Sequence, residues 1–510
     1  MRRCFTVLCV CLVSVPALHA EEPKKGKVVR ETWDAAYADG IKVGYFHTLV
    51  REVEDDTGKY LRTTVDMELD IRRGKATVKL RAATGDDETL EGKVTAVTLV
   101  QPQGKGQQLE IRGKVVDKQL HITVNDPPSK KQIPWNDEVV GLSRQDGIFR
   151  EKKVKPGDSF KYLSFEPTIT SIVPIAAAVK DDEEVEVMKV GKDGKISFAT
   201  EKLLRADAVP DKVEGLSFRL PALALWLDKD LNVVRSETEL PGICKLVLHR
   251  TTKEIATSEN GIAPNILRPI ALNRAITQPH DTRSVVYRVT LKGDEDPKTA
   301  FADDAHQSIK NVKGDSFEVH VHPVVAPKDI KEPGAAAEKF LKSNAFIDSD
   351  DDMVKKRARA ALQGETDPWK KAQKIESWVH EHMTAKNDVL FCKASKVAES
   401  LEGDCRQYAM LTAAMCRAAD VPSRSAVGLV YMLDETRHPG MAFHMWTEVW
   451  IKGQWIPLDA TLGRGHVGGG HLKVADDSWS DTQSLTPMLP VTRILGKITL
   501  EVVSVNDGEK

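Results

Sequence analysis

Cysteine is scarce in this chain, and its spacing excludes two common structural roles. Seven cysteines occur in 510 residues, and three of them lie within the first eleven positions. The remaining cysteines are Cys244, Cys392, Cys405 and Cys416. No two of these four form a C-x-x-C pair, which argues against a structural zinc site, and four thiols are too few for a disulfide framework. One cysteine with a special role is the simpler expectation.

An excess of one charge and long apolar runs are also missing. The chain has 73 basic and 75 acidic residues, for a formal net charge of -2. Nucleic-acid binding needs a concentrated basic surface, so we expect no nucleic-acid partner. No stretch beyond the N-terminal region is long and apolar enough to span a bilayer. We therefore expect no transmembrane anchor in the mature chain.

The first twenty residues have the order of a secretory signal peptide. A short basic start precedes an apolar run, Phe5 to Val15, and small residues follow as far as Ala20. Because this run is too short to cross a bilayer core, an anchor is the weaker interpretation. We expect cleavage after Ala17 or Ala20 and a secreted or periplasmic protein that begins near Glu21.

The N-terminal half shows a period of two in its apolar residues. Runs such as 41–52, 61–72 and 109–115 alternate between apolar and polar residues and are separated by polar turns such as Asp56-Thr57-Gly58. This pattern is typical of antiparallel strands joined by hairpins. It predicts a curved antiparallel sheet or a partly open barrel.

The C-terminal part changes to helices followed by strands. Asp367-Pro368 is a helix start, with Asp as N-cap and Pro at the first helical position. Gly403-Asp404-Cys405 opens a longer helix that ends before Val421-Pro422. Three predicted strands follow, at 424–432, 443–451 and 455–459. Helices followed by antiparallel strands indicate an α+β layer domain.

We therefore predict an α+β multidomain chain, in which a large antiparallel β domain precedes an α+β domain. The predicted boundaries are a signal peptide (1–20), a β-rich domain (21–257), a linker (258–282), a small β segment (283–325), a second linker (326–345), an α+β domain (346–475) and a C-terminal β tail (476–510).

Cys405 stands where a thiol can become a nucleophile. The free N–H groups and the positive dipole end of the predicted helix favour thiolate over thiol at its first residue. The same N–H groups can stabilise an oxyanion during acyl transfer. A thiolate of this kind also needs a nearby imidazole, which protonates the leaving group.

His444 is the candidate imidazole, because a predicted hairpin brings it near a carboxylate. If Lys452-Gly453 is a two-residue turn, Ile451 pairs with Gln454 and the register places His444 diagonally opposite Asp459. Diagonal neighbours on one face of a hairpin lie about 7–8 Å apart, within reach of their side chains. Asp459 can then orient the imidazole, which is the third role of a catalytic triad.

Each of these residues also has an ordinary structural interpretation. A lone cysteine is usually a small buried hydrophobe, and we interpret Cys392 and Cys416 in that way. A histidine on a strand is usually a structural or surface residue, which is our interpretation of His438, His466 and His471. The order and context of Cys405, His444 and Asp459 favour the catalytic interpretation for these three residues together.

The C-terminal part resembles the transglutaminase-like family over roughly residues 350–470. The motifs that carry the resemblance are 403–409, 421–424, 442–450 and 455–461. The resemblance implies a papain-like α+β fold, with Cys405 as nucleophile, His444 as base and Asp459 as orienting carboxylate. It also implies thioester chemistry on the amide bonds of a protein or peptide substrate, without a cofactor. We find no acidic loop of the kind that binds calcium in some relatives.

Two functions remain open from the sequence. The first is a cysteine hydrolase or acyltransferase that acts outside the cytoplasm, and hydrolysis is favoured over crosslinking. That preference rests on the segment Arg464 to Gly470, whose four glycines predict a flexible, open site edge. The alternative is a non-catalytic scaffold whose β domain binds a cell-envelope ligand. Labelling with a thiol-reactive probe would distinguish the two.

Overall fold

The computed structural model describes residues 26–506, except 57, 74–75, 103–107, 126–127, 192, 215, 217, 241–243, 266–268, 327–337, 388–390, 435 and 481–485. The predicted signal peptide and much of the second predicted linker lie outside these residues. The chain forms two compact units, residues 1–266 and 267–510. In the part of the chain just defined, no helix is both long and apolar enough to cross a membrane.

The first unit is built almost entirely from strands. They are β1 (Lys27–Ala38), β2 (Ile41–Asp55), β3 (Gly58–Arg73), β4 (Ala76–Thr89), β5 (Val94–Pro102), β6 (Gln108–Val116), β7 (Gln119–Asn125), β8 (Pro128–Pro134), β9 (Ser159–Glu166), β10 (Ser171–Val190), β11 (Ile196–Pro210), β12 (Leu223–Leu227), β13 (Val233–Leu240) and β14 (Cys244–Thr251). The short helices are α1 (Leu142–Gln145), α2 (Ile148–Glu151) and α3 (Lys253–Ala256).

These strands form one 14-stranded sheet, in the order β8-β7-β6-β5-β4-β3-β2-β1-β14-β13-β12-β11-β10-β9. Neighbouring strands are antiparallel. β1 pairs with both β2 and β14, so it joins the run β1–β8 to the run β9–β14. The segment after β8 meets β9 through a single bridge between Val139 and Leu163. The predicted large antiparallel β domain is therefore confirmed.

The period of two in the sequence becomes an alternation of burial in this sheet. In β7, Leu120, Ile122 and Val124 are buried, and the residues between them are more exposed. They join a hydrophobic cluster that includes Ile111 and Phe165. Burial of such side chains contributes roughly 1.5–3 kcal/mol each, and this burial on one face fixes the strand register.

The second unit combines α-helices of seven or more residues with sheets of few strands. Its strands are β15 (Ile270–Ala271), β16 (Ser284–Leu291), β17 (Gln307–Lys313), β18 (Ser316–Val321), β19 (Thr384–Ala385), β20 (Glu402–Gly403), β21 (Ser423–Leu433), β22 (Pro439–Ile451), β23 (Gln454–Leu458), β24 (His471–Asp477) and β25 (Ile498–Asn506). Its helices are α4 (Asp352–Leu362), α5 (Pro368–His382), α6 (Ala394–Ser400) and α7 (Cys405–Ala418). Three 3₁₀ helices lie at Pro297–Ala300, Glu338–Phe340 and Thr486–Arg493.

Two sheets organise this unit. The 5-stranded sheet has the order β15-β22-β21-β24, and β23 pairs with β22. The 4-stranded sheet has the order β17-β18-β16-β25, so the C-terminal strand pairs with the segment that was predicted as a separate small β region. Helices and antiparallel strands together give the predicted α+β layer domain.

Helix starts in this unit follow the capping residues of the sequence. Asp367 caps α5 by accepting a hydrogen bond from the Lys370 N–H at 2.9 Å, and Pro368 occupies the first helical position. Asp404 caps α7 in the same way. Every residue of α7 from Arg406 to Arg417 is buried, so it is the central helix of the domain.

Candidate active site

The start of α7 holds the candidate nucleophile. Asp404 and Gln407 form a capping box, in which Asp404 Oδ1 accepts from the Arg406 N–H at 3.0 Å and Gln407 Oε1 accepts from the Asp404 N–H at 3.1 Å. Cys405 is therefore the first helical residue, at the positive dipole end of α7, where the Asp404 side chain already accepts from the N–H groups of Arg406 and Gln407. Cys405 is half-buried, so it is partly accessible to solvent.

The hairpin of β22 and β23 has the predicted register. Ile451 pairs with Gln454, and Thr447 pairs with Leu458. Lys452 and Gly453 have φ values of 49° and 91°, as a type I′ turn requires. This turn explains why the pairing could be derived from the sequence.

The hairpin brings His444 and Asp459 into direct contact. His444 Nε2 donates to Asp459 Oδ2 at 2.7 Å, although β23 itself ends one residue before Asp459. The other ring nitrogen is left for the side chain of Cys405, with which His444 also forms a hydrogen bond. All three predicted site residues therefore meet, and we call them the candidate triad.

Asp459 accepts hydrogen bonds on both carboxylate oxygens. Oδ1 accepts from the Thr461 N–H at 2.9 Å and from the Thr461 hydroxyl at 2.6 Å. Oδ2 accepts from His444 at 2.7 Å and from His471 Nε2 at 3.0 Å. Because Asp459 is 1% exposed, these four donors replace the water that a carboxylate needs.

The electrostatics of the triad favour an imidazolium beside a carboxylate. Burial by itself lowers the pKa of His444, but the Asp459 charge, its hydrogen bond and the contact with Cys405 raise this pKa to about 10. Burial by itself raises the pKa of Asp459, but His444 and His471 hold it well below its usual range. His444 is therefore held in its protonated form, from which it can give a proton to a leaving group.

Helix α5 supports the loop that carries Asp459. His380 Nδ1 donates to the Ala460 carbonyl oxygen at 2.9 Å, and Glu376 Oε1 accepts from the Gly465 N–H at 3.0 Å. Burial, together with the nearby charge of Asp459, raises the pKa of Glu376 to about 7. Gly463 has a φ of 64°, and a Cβ there would lie 2.4 Å from the His380 ring. These contacts hold the loop that carries Asp459 against helix α5.

Two further residues contact the candidate triad. We interpreted His471 as a structural or surface histidine, whereas its side chain contacts the Asp459 carboxylate. The Thr461 hydroxyl donates to Asp459 Oδ1 and also lies 3.4 Å from His444 Nε2. No spacing rule links His471 to this hairpin, because its contact depends on the strand order of the sheet.

The glycine-rich segment does not form the open site edge that was predicted. Arg464 and His466 are exposed, but residues 467–470 are buried. Gly469 accepts a hydrogen bond from the Tyr287 hydroxyl at 2.9 Å, and a Cβ on Gly468 would lie 2.3 Å from the His280 carbonyl oxygen. The glycines therefore permit close packing. The prediction of an open edge was wrong for this stretch.

The other cysteines of the domain differ from Cys405 in being fully enclosed by the protein. Cys392 and Cys416 are both buried, as predicted. Burial raises the pKa of the Cys416 thiol to about 12, so this thiol remains protonated at neutral pH. Trp446 is 1% exposed and packs against the His444 and His471 rings.

His444, Asp459 and His471 also have the atom types of metal ligands. Their ligand atoms lie within 4.8 Å of one another. Both imidazole Nε2 atoms already donate to the same carboxylate oxygen, so a cation would have to replace two protons. These three side chains therefore already satisfy one another through hydrogen bonds, and the mechanism proposed for this site uses no metal.

Comparison with known proteins identifies the domain that holds the triad. The sequence model of the transglutaminase-like superfamily matches residues 355–460. An uncharacterised protein from Haemophilus influenzae is 32% identical over 108 residues, which is 20% of this chain and 29% of the relative. The chain thus spans less than a third of that relative's length.

Two solved structures are similar to parts of this chain. A candidate cysteine protease from Cytophaga hutchinsonii aligns with 43% of this chain and 81% of its own, at 15% identity and a TM-score of 0.26. A β-barrel-like domain of unknown function from Brucella abortus aligns with 44% of this chain and 98% of its own, at 10% identity and a TM-score of 0.32.

Proposed function

We propose that this chain, whose residues 355–460 form a transglutaminase-like domain, is a cysteine enzyme that hydrolyses amide bonds of proteins or peptides. The observation that carries the proposal is the hydrogen-bonded series Cys405, His444 and Asp459 at the start of α7. Nucleophile, base and orienting group in mutual contact are the requirements of covalent acyl transfer.

The first half of the reaction forms a thioester. The Cys405 thiolate attacks the carbonyl carbon of the amide, and the backbone N–H of Cys405 at the start of α7 donates to the developing oxyanion. The His444 imidazolium then gives its proton to the amide nitrogen as the C–N bond breaks. An amine leaves, and the acyl group remains on the Cys405 sulfur. Asp459 holds the imidazole throughout and exchanges no bond with the substrate.

The second half returns the enzyme to its starting state. His444, now neutral, accepts a proton from water as the water oxygen attacks the thioester carbon. The C–S bond breaks, a carboxylic acid leaves, and the Cys405 thiolate is restored beside an imidazolium. We favour water over an amine as the acceptor because Cys405 is half-buried and not enclosed, so solvent has access to the thioester.

The acceptor can be tested with a library of glutamine-containing peptides and an excess of a primary amine. Mass spectrometry would count chain cleavage, deamidation and amine incorporation, with the Cys405→Ala variant as the blank. The proposal predicts that cleavage or deamidation exceeds amine incorporation. Faster amine incorporation would instead identify an acyltransferase that uses the same triad. No turnover of any kind above the blank would remove the enzymatic assignment.

Replacing Asp459 with Asn should reduce the rate without abolishing it. The amide keeps one acceptor oxygen, but its NH₂ group faces donors that the carboxylate now satisfies, so the imidazole is held less firmly. We expect a loss of about 10²- to 10⁴-fold in kcat, smaller than for Cys405→Ala. Steady-state kinetics on any cleaved peptide would measure the loss.

Asp476→Asn is the matched control for that variant. Asp476 pairs with Arg424 at 2.6 Å and with Lys473 at 2.8 Å in the same sheet, and these pairs do not involve the triad. This substitution should lower the melting temperature and leave kcat within about twofold. A wild-type rate in Asp459→Asn would show that another residue orients His444.

The proposal includes export from the cytoplasm. Its support is the basic start, the apolar run from Phe5 to Val15 and the small residues up to Ala20. N-terminal sequencing of the protein from its native host should return a chain that begins near Glu21. Recovery of Met1 on the mature protein would contradict this part of the proposal.

A further inference from the structure

His471 reaches the triad from two strands away. It is the first residue of β24, which pairs with β21, and β21 in turn pairs with β22, where His444 lies. Gly428 of β21 lies opposite His444, and a Cβ there would come within 2.0 Å of the Leu472 carbonyl oxygen. The missing side chain at Gly428 lets β24 pack closely. As a result, the His471 and His444 ring centroids are 5.7 Å apart.

The hydrogen bonding of His471 fixes its protonation state. The side chain is 0% exposed, and burial lowers the pKa of His471 to about 4, so the ring is neutral at physiological pH. Its Nε2 lies 3.0 Å from the Asp459 carboxylate and therefore carries the proton and donates. Its Nδ1 has no hydrogen-bond partner among the residues that the structure describes.

The surroundings hold the His471 ring in this orientation. Trp446 and His280 pack edge-on against it, with centroid distances of 5.2 Å and 5.6 Å. His306 Nε2 lies 3.4 Å from the backbone oxygen of His471. Of the residues that the structure describes, His280, Trp446, His444 and Asp459 contact the ring, and Asp459 accepts its Nε2 proton.

We infer that His471 is a positioning residue for the candidate triad, acting through Asp459. His444 and His471 share Oδ2, and Thr461 binds Oδ1 twice. A carboxylate held on both oxygens cannot rotate away from His444. This inference rests on the proposed function and extends it, because the superfamily match ends at residue 460 and does not include His471.

The role of His471 makes a quantitative prediction. Without its N–H, Oδ2 retains a single donor, and a buried carboxylate with an unfilled acceptor site rotates or draws in water. His444 then spends less time aligned with Cys405, so the sulfur is in the reactive arrangement less often. Loss of a buried donor to a charged group, or of an orienting partner, typically reduces function by about 10- to 100-fold.

The test uses the rate of Cys405 alkylation by iodoacetamide, because this rate needs no substrate. It would be measured from pH 5 to 9 by peptide mapping in wild type, His471→Leu, His471→Gln and Leu472→Ala. Leucine fills the site without a donor, whereas glutamine supplies a side-chain N–H. Leu472→Ala disturbs the packing of β24 without touching Asp459, since Leu472 belongs to the hydrophobic cluster.

At mildly acidic pH, His471→Leu should slow alkylation by about 10- to 100-fold, and His471→Gln and Leu472→Ala should remain within about threefold of wild type. A wild-type rate in folded His471→Leu would overturn the inference, and so would equal losses in all three variants. If wild-type Cys405 itself reacts slowly at every pH, the proposed function fails instead, so the two failures are distinguishable.

Discussion

Replacing Cys405 with alanine should lower the rate of amide cleavage by about 10⁴-fold or more, because no other group can form the thioester. The fold should tolerate the change. The capping box of α7 uses Asp404 and Gln407 and does not involve the thiol, and the half-buried sulfur leaves no enclosed cavity. We expect the free energy of unfolding to change by no more than about 1 kcal/mol.

Cys416→Ala is the matched control, since it makes the same chemical change in the same helix. Cys416 is fully buried, so its loss leaves a small cavity and should cost about 1 kcal/mol of stability. Its kcat should equal that of wild type. The two variants thus predict opposite patterns, with activity lost in one and stability lowered in the other. A Cys405→Ala enzyme with a tenth of the wild-type rate would contradict a thioester mechanism.

Replacing His444 should have the second largest effect, about 10³- to 10⁴-fold on kcat, because it removes the group that carries the proton in both half-reactions. His444→Ala also leaves Asp459 buried with one donor fewer, which should destabilise the fold by roughly 3–5 kcal/mol. His444→Gln supplies an N–H to Asp459 but cannot carry the proton. We therefore expect both variants to be inactive and only His444→Gln to remain near wild-type stability.

The pH dependence of the wild type provides an independent check on His444. Its pKa is raised from 6.5 to about 10 in the folded protein, so the imidazolium persists through neutral pH. Activity should decline on the alkaline side only as the pH approaches about 10. Because the folded-state pKa is the higher one, the stabilisation from protonated His444 is complete below pH 6.5 and is lost as the pH rises through about 10.

That stabilisation can be isolated by subtraction. The difference in unfolding free energy between wild type and His444→Gln should shrink over this alkaline range, while other titrating groups affect both proteins alike. A difference that stays constant with pH would show that His444 is neutral in the folded state. Activity in His444→Gln would show that another base serves Cys405.

The parts of the site that the sequence predicted are those fixed by local geometry. A two-residue turn at Lys452-Gly453 determines the pairing of β22 with β23, and that pairing places His444 beside Asp459. The capping residue Asp404 determines where α7 begins, and so gives Cys405 its place at the helix terminus. Each inference needed only residues that are close together along the chain.

The contact of His471 with Asp459 could not be predicted in this way. It depends on β24 pairing with β21 on the side opposite β22, and on the close approach that Gly428 allows. Neither the strand order nor the approach distance has a local sequence signal, so a buried histidine after three glycines was interpreted as structural.

The glycine-rich segment Arg464 to Gly470 is a case in which the prediction from the sequence was wrong. Clustered glycines indicate either a flexible loop or a place where backbones meet closely, and the sequence cannot separate these cases. Here Gly468 and Gly469 pack against His280, Thr282 and Val285. The large β unit was predictable because alternation over many strands repeats the same signal. Its binding partner has no such signal.

Limited alkylation of the wild-type protein by iodoacetamide in mildly acidic buffer tests the central claim most directly. Cys405 and Cys244 are both half-buried, so exposure alone predicts similar reaction rates. A thiolate paired with the His444 imidazolium predicts that peptide mapping finds Cys405 modified first, well before Cys244, Cys392 and Cys416. Modification of Cys244 before Cys405, or of both at the same rate, would contradict the account.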